Sequence, residues 1–124
     1  MVSCAVSRPF TVEQVGAVTV IRFGRVSMME DAVIAEARAC LFDLVEKQGR
    51  RQFVLNFGWV TSLASRMLGQ LVALHHKLEA VGGRLVLCEV SPFLYEDFEA
   101  ARLPGLLCVR GGEQEALEAL GGSG

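Results

Sequence analysis

Apolar and polar residues alternate along the first part of the chain in the way that is typical of paired β-strands. Residues 10–15 alternate one by one, as in a strand with one buried face. Gly16 permits a tight turn, and residues 17–23 form a second, more apolar run. We therefore predict an N-terminal β-hairpin.

Apolar residues then recur at helical spacing in two longer segments. In the first segment the stripe comprises Val33, Ile34, Ala37, Leu41, Leu44 and Val45. Ser27 and Glu30 have the spacing of a capping box that would open this helix, and Gly49 is its expected stop. The second helix is predicted over about residues 64–81, with a stripe of Met67, Leu71, Leu74, Leu78 and Val81.

Short apolar runs flank the second helix and predict two buried strands, at residues 52–57 and 84–89. After the later strand, Ser91 is a suitable N-cap and Pro92 suits the first helical position. These signals predict a third helix over residues 92–101.

The remaining pattern completes an α/β fold. Residues 106–109 are a candidate edge strand and residues 113–120 a last short helix. Alternating strands and helices predict a mixed sheet of four to five strands, mostly parallel with the N-terminal hairpin, packed against helices. We expect a single domain over residues 1–124, with its core at about 10–109, and a short C-terminal helix and flexible tail at 110–124.

Composition narrows the possible functions. The chain has 124 residues and a net charge of −2, with scattered Lys and Arg, which argues against nucleic-acid binding. No apolar run approaches the roughly 20 residues needed to cross a bilayer, and the N-terminus is unlike a signal peptide. We therefore expect a cytoplasmic protein that makes no membrane contact.

The four cysteines, Cys4, Cys40, Cys88 and Cys108, lie far apart and form no Cys-x-x-Cys pair. Cys40 and Cys88 fall within apolar patterns, which favours buried free thiols. We therefore expect neither a zinc site nor a disulfide framework.

The candidate functional chemistry gathers at residues 53–69, where a buried strand leads into a helix. The polar Asn56 and the turn glycine Gly58 follow the strand. The small hydroxyl residues Thr61, Ser62 and Ser65 precede and begin the helix. Such a junction places hydroxyls, a loop and the positive end of a helix dipole at one edge of the sheet.

Four segments, in order, resemble the STAS domain, the module of bacterial anti-sigma factor antagonists and of sulphate-transporter tails. Residues 53–60 match the strand and turn of the family, and residues 63–69 match its Asp-Ser-Ser-Gly-Leu-Gly signature. Residues 80–87 are similar to Ala-Gly-Gly-Arg-Leu-Val, and residues 91–103 supply Ser-Pro, a helix and Arg-Leu. The resemblance covers roughly residues 10–109 and implies the STAS fold.

For the antagonists, the resemblance implies a phosphorylation switch. A partner kinase modifies a serine at the start of the second helix; the unmodified form binds that kinase and frees a sigma factor, and phosphate abolishes the binding. Here Ala64 stands at the signature aspartate and Ser65 at the first serine. Arg66 replaces the usual phosphoacceptor, Met67 replaces a glycine, and Asn56 stands where an acidic residue is common.

The resemblance makes Ser65 the best substitute phosphoacceptor, with Ser62 and then Thr61 behind it. Ser65 could instead bond its own backbone, and Ser62 could be a plain N-cap. Arg66 either fixes charge at a partner surface or is a solvated side chain. Phe57 and Trp59 are either core residues or contact anchors. The predicted partner-binding residues are Asn56, Trp59, Thr61, Ser62, Ser65 and Arg66.

Catalytic and metal-binding motifs are not found in the sequence. There is no Gly-x-Ser-x-Gly elbow, Walker loop or dinucleotide fingerprint. His75 and His76 are adjacent and should not share one helix face, and we expect no acidic residue or cysteine to complete a ligand set with them. We therefore expect no metal, no cofactor and no enzymatic activity.

These inferences predict a regulatory protein–protein interaction module. By resemblance, its partner is an anti-sigma serine kinase or another STAS or switch protein. Two alternatives stay open. One is a scaffold that is not phosphorylated and that assembles with other STAS proteins or as a homodimer. The other is a domain that senses a nucleotide or a lipid, which would need a sizeable pocket.

Overall fold

The computed structural model describes residues 10–24, 30–60, 63–103 and 105–121. The described elements are, in order, β1 (Phe10–Val15), β2 (Val18–Phe23), α1 (Asp31–Glu46), β3 (Gln52–Asn56), α2 (Ser65–Ala80), β4 (Arg84–Cys88), α3 (Pro92–Ala100), β5 (Cys108–Arg110) and α4 (Glu113–Ala119).

The strands form one mixed sheet in the order β1-β2-β3-β4-β5. β1 and β2 are an antiparallel hairpin in which Val15 pairs with Val18, and Gly16 adopts a φ of +61° at the turn. The pairs β2–β3, β3–β4 and β4–β5 are parallel. The predicted α/β fold, a mostly parallel sheet with an N-terminal hairpin, is confirmed.

The sheet is buried on both faces because its central strands carry apolar residues at successive positions. Phe53 and Leu55 of β3 pack into a core with α1, α2 and α3. Val54 points to the other face, where Ala116 of α4 and the following Leu120 complete a second, smaller core. A strand that is covered on both faces has a continuous apolar run in its sequence, which explains the apolar runs of β3 and β4.

Two elements begin more than one residue away from the predicted start. α1 begins at Asp31, and its N-cap is Glu30, which makes no side-chain capping bond. The capping box with Glu30 inside the helix is therefore wrong; Ser27 lies outside the described residues. β5 begins at Cys108 because Leu107 turns into the core and its N–H donates to the Leu103 carbonyl.

The cysteines give one correction. Cys88 and Cys108 are free thiols. Cys40, however, is disulfide-bonded, so the prediction of a free thiol there is wrong. The disulfide could not be predicted from the spacing of the cysteines, because folding can bring cysteines that are distant in sequence close together. Burial, with smaller contributions from Glu113 and Glu89, raises the pKa of the Cys88 thiol to about 12, which makes it a poor nucleophile.

No helix in the described ranges combines the length and the apolar character that crossing a bilayer requires.

Candidate functional site

Two backbone hydrogen bonds fix the start of the loop between β3 and α2, and one of them is made to β4. The N–H of Phe57 donates to the Cys88 carbonyl at 3.0 Å, and the N–H of Val60 donates to the Phe57 carbonyl at 3.0 Å. Phe57 is 0% exposed, whereas Trp59 is 56% exposed at the turn. Of the two aromatic residues, Phe57 is thus the core residue and Trp59 is presented at the surface.

The first turn of α2 separates buried from exposed residues. Ala64 is the N-cap and is buried, and Met67 is fully buried. Ser65 and Arg66, between them, are exposed. Four of the six predicted partner-binding residues can therefore be placed, and Thr61 and Ser62 lie outside the described residues.

Ser65 and Arg66 face different neighbours. Ser65 lines a surface groove of about 330 Å³ against α3, whose other walls include Leu63, Leu68 and Asp97. The Arg66 guanidinium pairs with the Asp31 carboxylate in the first turn of α1. The beginning of α2 thus lies between the start of α1 and the end of α3.

The ion pair of Arg66 explains why a cation is tolerated at a helix N-terminus. The α2 dipole disfavours Arg66 by about 0.3–1 kcal/mol, and the Asp31 carboxylate offsets this while also suiting the N-terminus of α1. Both side chains are more than half exposed, so we expect a net contribution of less than about 1 kcal/mol to stability. Arg66 is an ion-paired residue and not merely a solvated one.

Asn56 joins a polar network that the sequence did not reveal. The Arg22 Nε and Nη2 donate to the two oxygens of Glu113 at 2.7 and 2.9 Å, and its Nη1 donates to Glu13 at 2.6 Å. Asn56 Nδ2 donates to Glu113 Oε2 at 2.6 Å, and its Oδ1 accepts the Gly58 N–H at 2.7 Å. The side chain of Asn56 therefore connects the β3–α2 loop to the first residue of α4.

This network gives a physical reason for an amide at position 56. An aspartate has no N–H donor, so it would place a second carboxylate against Glu113. Asn56 and Glu113 are complementary in this chain. The available sequence signal was Arg22 within an apolar strand, yet its partner lies 91 residues away along the chain.

A second surface depression lies beside this network. A cleft of about 270 Å³ is lined by Arg22, Asn56, Gly58, Trp59 and Glu89. Asn56 and Trp59 thus share one cleft, whereas Ser65 lines the groove against α3. The four predicted residues that the structure describes therefore do not line a single cleft.

Comparison with known proteins identifies the family. The family model of the STAS domain matches residues 10–116. The chain belongs to the STAS domain family. A candidate anti-sigma factor antagonist of Thermotoga maritima is 18% identical, with a TM-score of 0.81 and coverage of 90% of this chain and 93% of that chain.

Two further solved structures have the same fold as this STAS domain. An anti-sigma-factor antagonist domain protein of Planctomyces limnophilus is 21% identical, with a TM-score of 0.79 and coverage of 93% and 99%. The Bacillus cell fate determinant SpoIIAA, in its phosphorylated form, is 23% identical, with a TM-score of 0.69 and coverage of 89% and 97%. At these identities the likeness shows the fold.

The pKa of Glu113 makes the network of this STAS domain sensitive to acid. The hydrogen bonds from Arg22 lower that pKa most; burial opposes them, and Asn56 adds to the lowering. The same contacts raise the pKa of Arg22, which stays charged at every relevant pH. A carboxylate whose pKa is lower in the folded state stabilises the fold above its unfolded pKa and loses that stabilisation as pH falls.

Replacing Glu113 with glutamine should therefore remove part of the acid sensitivity. The E113Q variant should be less stable by about 1–2 kcal/mol at pH 7, because charged hydrogen bonds are lost. The difference from wild type should shrink below about pH 4, as the wild-type carboxylate becomes protonated. Urea unfolding at several pH values measures both effects. The exposed Glu99→Gln on α3 is the matched control, and a constant difference across pH would contradict the assignment.

One exposed group of side chains on α2 could hold a metal ion. His75 Nε2 lies 3.5 Å from Glu79 Oε2, and His76 Nδ1 lies 3.6 Å from Glu79 Oε1. The expectation that no acidic residue completes a ligand set with the histidines is wrong. Glu79 is four residues after one histidine and three after the other, so its side chain reaches both.

Proposed function

We propose that this STAS domain is a regulatory protein–protein interaction module that binds an anti-sigma serine kinase. We call its binding region the switch surface, which comprises Asn56, Trp59, Thr61, Ser62, Ser65 and Arg66. The observation that carries the proposal is the first turn of α2, where Ser65 and Arg66 point outward between the buried Ala64 and Met67. As a binding module the domain needs no catalytic residue or cofactor, and we place it in the cytoplasm with its kinase.

The surroundings of Ser65 suit regulation by phosphate. The groove beside it is lined by the apolar Leu63, Leu68, Ala100 and Ala101 and by the carboxylate of Asp97. A phosphate on Ser65 would put a dianion beside Asp97 and into an apolar contact surface, which opposes partner binding. In the free domain the α2 dipole would stabilise the same charge. Phosphorylation would thus weaken binding without unfolding the domain.

The relatives support this proposal in one respect. A Bacillus protein with the same fold has been solved in a phosphorylated form. In this chain the usual acceptor position is Arg66, which is paired with Asp31, so Ser65 is the hydroxyl available in the described part of the first turn.

The experiment that tests the proposal is incubation with the anti-sigma serine kinase encoded in the same genome and ATP, followed by peptide mass spectrometry. We expect one phosphate on Ser65 and none on the S65A variant. Because the Ser65 side chain is exposed, S65A should unfold at the wild-type temperature, which excludes misfolding as the cause. Phosphate elsewhere, or none on wild type, would contradict the assignment of Ser65.

The alternatives of self-assembly and of nucleotide or lipid sensing stay predictions from the sequence. The cleft beside Trp59 is lined by the polar side chains of Arg22, Asn56 and Glu89. Neither alternative is favoured by a specific contact in the described residues.

A further inference from the structure

We propose that His75, His76 and Glu79 form a binding site for a divalent cation of the zinc class. One ligand atom from each residue can be chosen so that all three lie within 4.8 Å of one another. The site is separate from the switch surface, because His75 lies ten residues after Ser65, or about 15 Å along the helix axis. The proposal therefore does not rest on the function of Ser65.

The spacing of the ligand atoms fits a small first-row cation. Bonds of about 2.0–2.2 Å at tetrahedral angles place neighbouring ligand atoms roughly 3.3–3.6 Å apart. The distances from His75 Nε2 to Glu79 Oε2, 3.5 Å, and from His76 Nδ1 to Glu79 Oε1, 3.6 Å, are of this size, and each histidine faces its own carboxylate oxygen. The chosen nitrogens of the two histidines lie within 4.8 Å of each other, and the exposed His76 side chain is free to adjust.

The surroundings of the cluster partly order it. The His75 side chain is only 15% exposed, beside the buried Leu74 and Leu78 on the core face of α2, so packing restricts its rotamers. His76 and Glu79 are mostly exposed and can adjust. The site therefore has one restricted ligand and two adaptable ones, and its solvent side leaves room for water in a fourth position.

The nearest lysine on the same helix is directed elsewhere. Lys77 Nζ lies 2.5 Å from Glu46 Oε2 on α1 and 5.5 Å from the centroid of the Phe42 ring. Lys77 therefore forms its ion pair with α1, whereas the Glu79 carboxylate lies beside the two histidines. A cation at the cluster would meet the carboxylate of Glu79 without displacing a lysine.

The donor set determines the class of cation. Two imidazole nitrogens and one carboxylate oxygen suit zinc, copper or nickel, whereas magnesium and calcium prefer oxygen ligands. With three side-chain ligands and exposure to solvent, the site should bind reversibly. We commit to Zn²⁺ as the probe because it has no redox chemistry of its own.

Isothermal titration of the wild-type protein with ZnCl₂ and with MgCl₂ tests the site. We expect one Zn²⁺ per chain and no magnesium binding. Because altering even outer-sphere partners of metal ligands costs about 10–100-fold, H76A and E79Q should each weaken zinc binding by at least about tenfold. Both changes are at exposed positions, so thermal unfolding should match wild type.

Two controls make the result decisive. C108S removes a free, half-buried thiol that could bind zinc independently and should leave the affinity unchanged. E99Q removes an exposed carboxylate on α3 and should also have no effect. Absence of zinc binding, equal binding by H76A and E79Q, or loss of binding in C108S would each overturn the proposal. None of these results would bear on phosphorylation of Ser65.

Discussion

Replacing Phe57 with alanine should lower the free energy of unfolding by about 3–5 kcal/mol. Phe57 is 0% exposed, and its ring centroid lies 5.1 Å from that of Phe23 and 6.1 Å from that of Phe98. The substitution would leave a cavity between β2, the β3–α2 loop and α3 that the rigid sheet cannot fill. Urea unfolding followed by circular dichroism measures the loss.

Trp59 provides the matched control for Phe57. It lies two residues away in the same loop but is 56% exposed, so Trp59→Ala should change stability by less than about 1 kcal/mol. A larger loss for Trp59 than for Phe57 would contradict the assignment of Phe57 to the core and Trp59 to the surface.

The fold was largely predictable because its signals are local. The alternation at residues 10–15 predicted a strand with one buried face, and the apolar run at residues 84–89 predicted a buried strand. Ser91 and Pro92 predicted the start of α3, and the Ser91 hydroxyl does accept the Leu94 N–H, at 3.2 Å. Each of these signals operates within a few residues of chain.

The start of α1 shows where local signals compete. Ser27 and Glu30 satisfied the spacing rule for a capping box, but α1 begins only after Glu30. Asp31 at the next position is also a favourable first-turn residue, and it pairs with Arg66 of α2. The observed start of α1 is thus accompanied by an ion pair between α1 and α2, and such a contact cannot be predicted from the local sequence pattern.

The exposure of Ser65 could be predicted from the sequence, whereas the contacts of the neighbouring candidate residues could not. The hydroxyl-rich junction correctly predicted exposed Ser65 near the start of α2. The partners of Asn56 and Arg66 could not be predicted, because Glu113 and Asp31 are brought to them only by the packing of α4 and α1. The histidine cluster was missed because the helix-face argument ignored the reach of Glu79.

Replacing Ser65 with glutamate should abolish partner binding while the domain stays folded. The added carboxylate would lie at the groove shared with Asp97, where partner binding would strip water from two neighbouring negative charges in a largely apolar contact surface. We expect kinase affinity to fall by about 100-fold or more, equivalent to about 2.7 kcal/mol. The α2 dipole should stabilise the same charge by about 0.3–1 kcal/mol, so the unfolding temperature should stay equal or rise. Isothermal titration and thermal unfolding of the same preparation measure the two effects.

Ala73 offers a control with the same added charge on the same helix. It is exposed and lies eight residues after Ser65, about 12 Å along the axis and away from the switch surface. Ala73→Glu should therefore leave binding intact, because its charge lies outside the contact region.

Titration of the anti-sigma serine kinase with wild type, S65E and A73E is the most direct test of the switch surface. We expect equal affinities for wild type and A73E and a loss of about 100-fold or more for S65E alone. Binding of S65E at wild-type affinity, or an equal loss in both variants, would show that the partner does not bind at the first turn of α2.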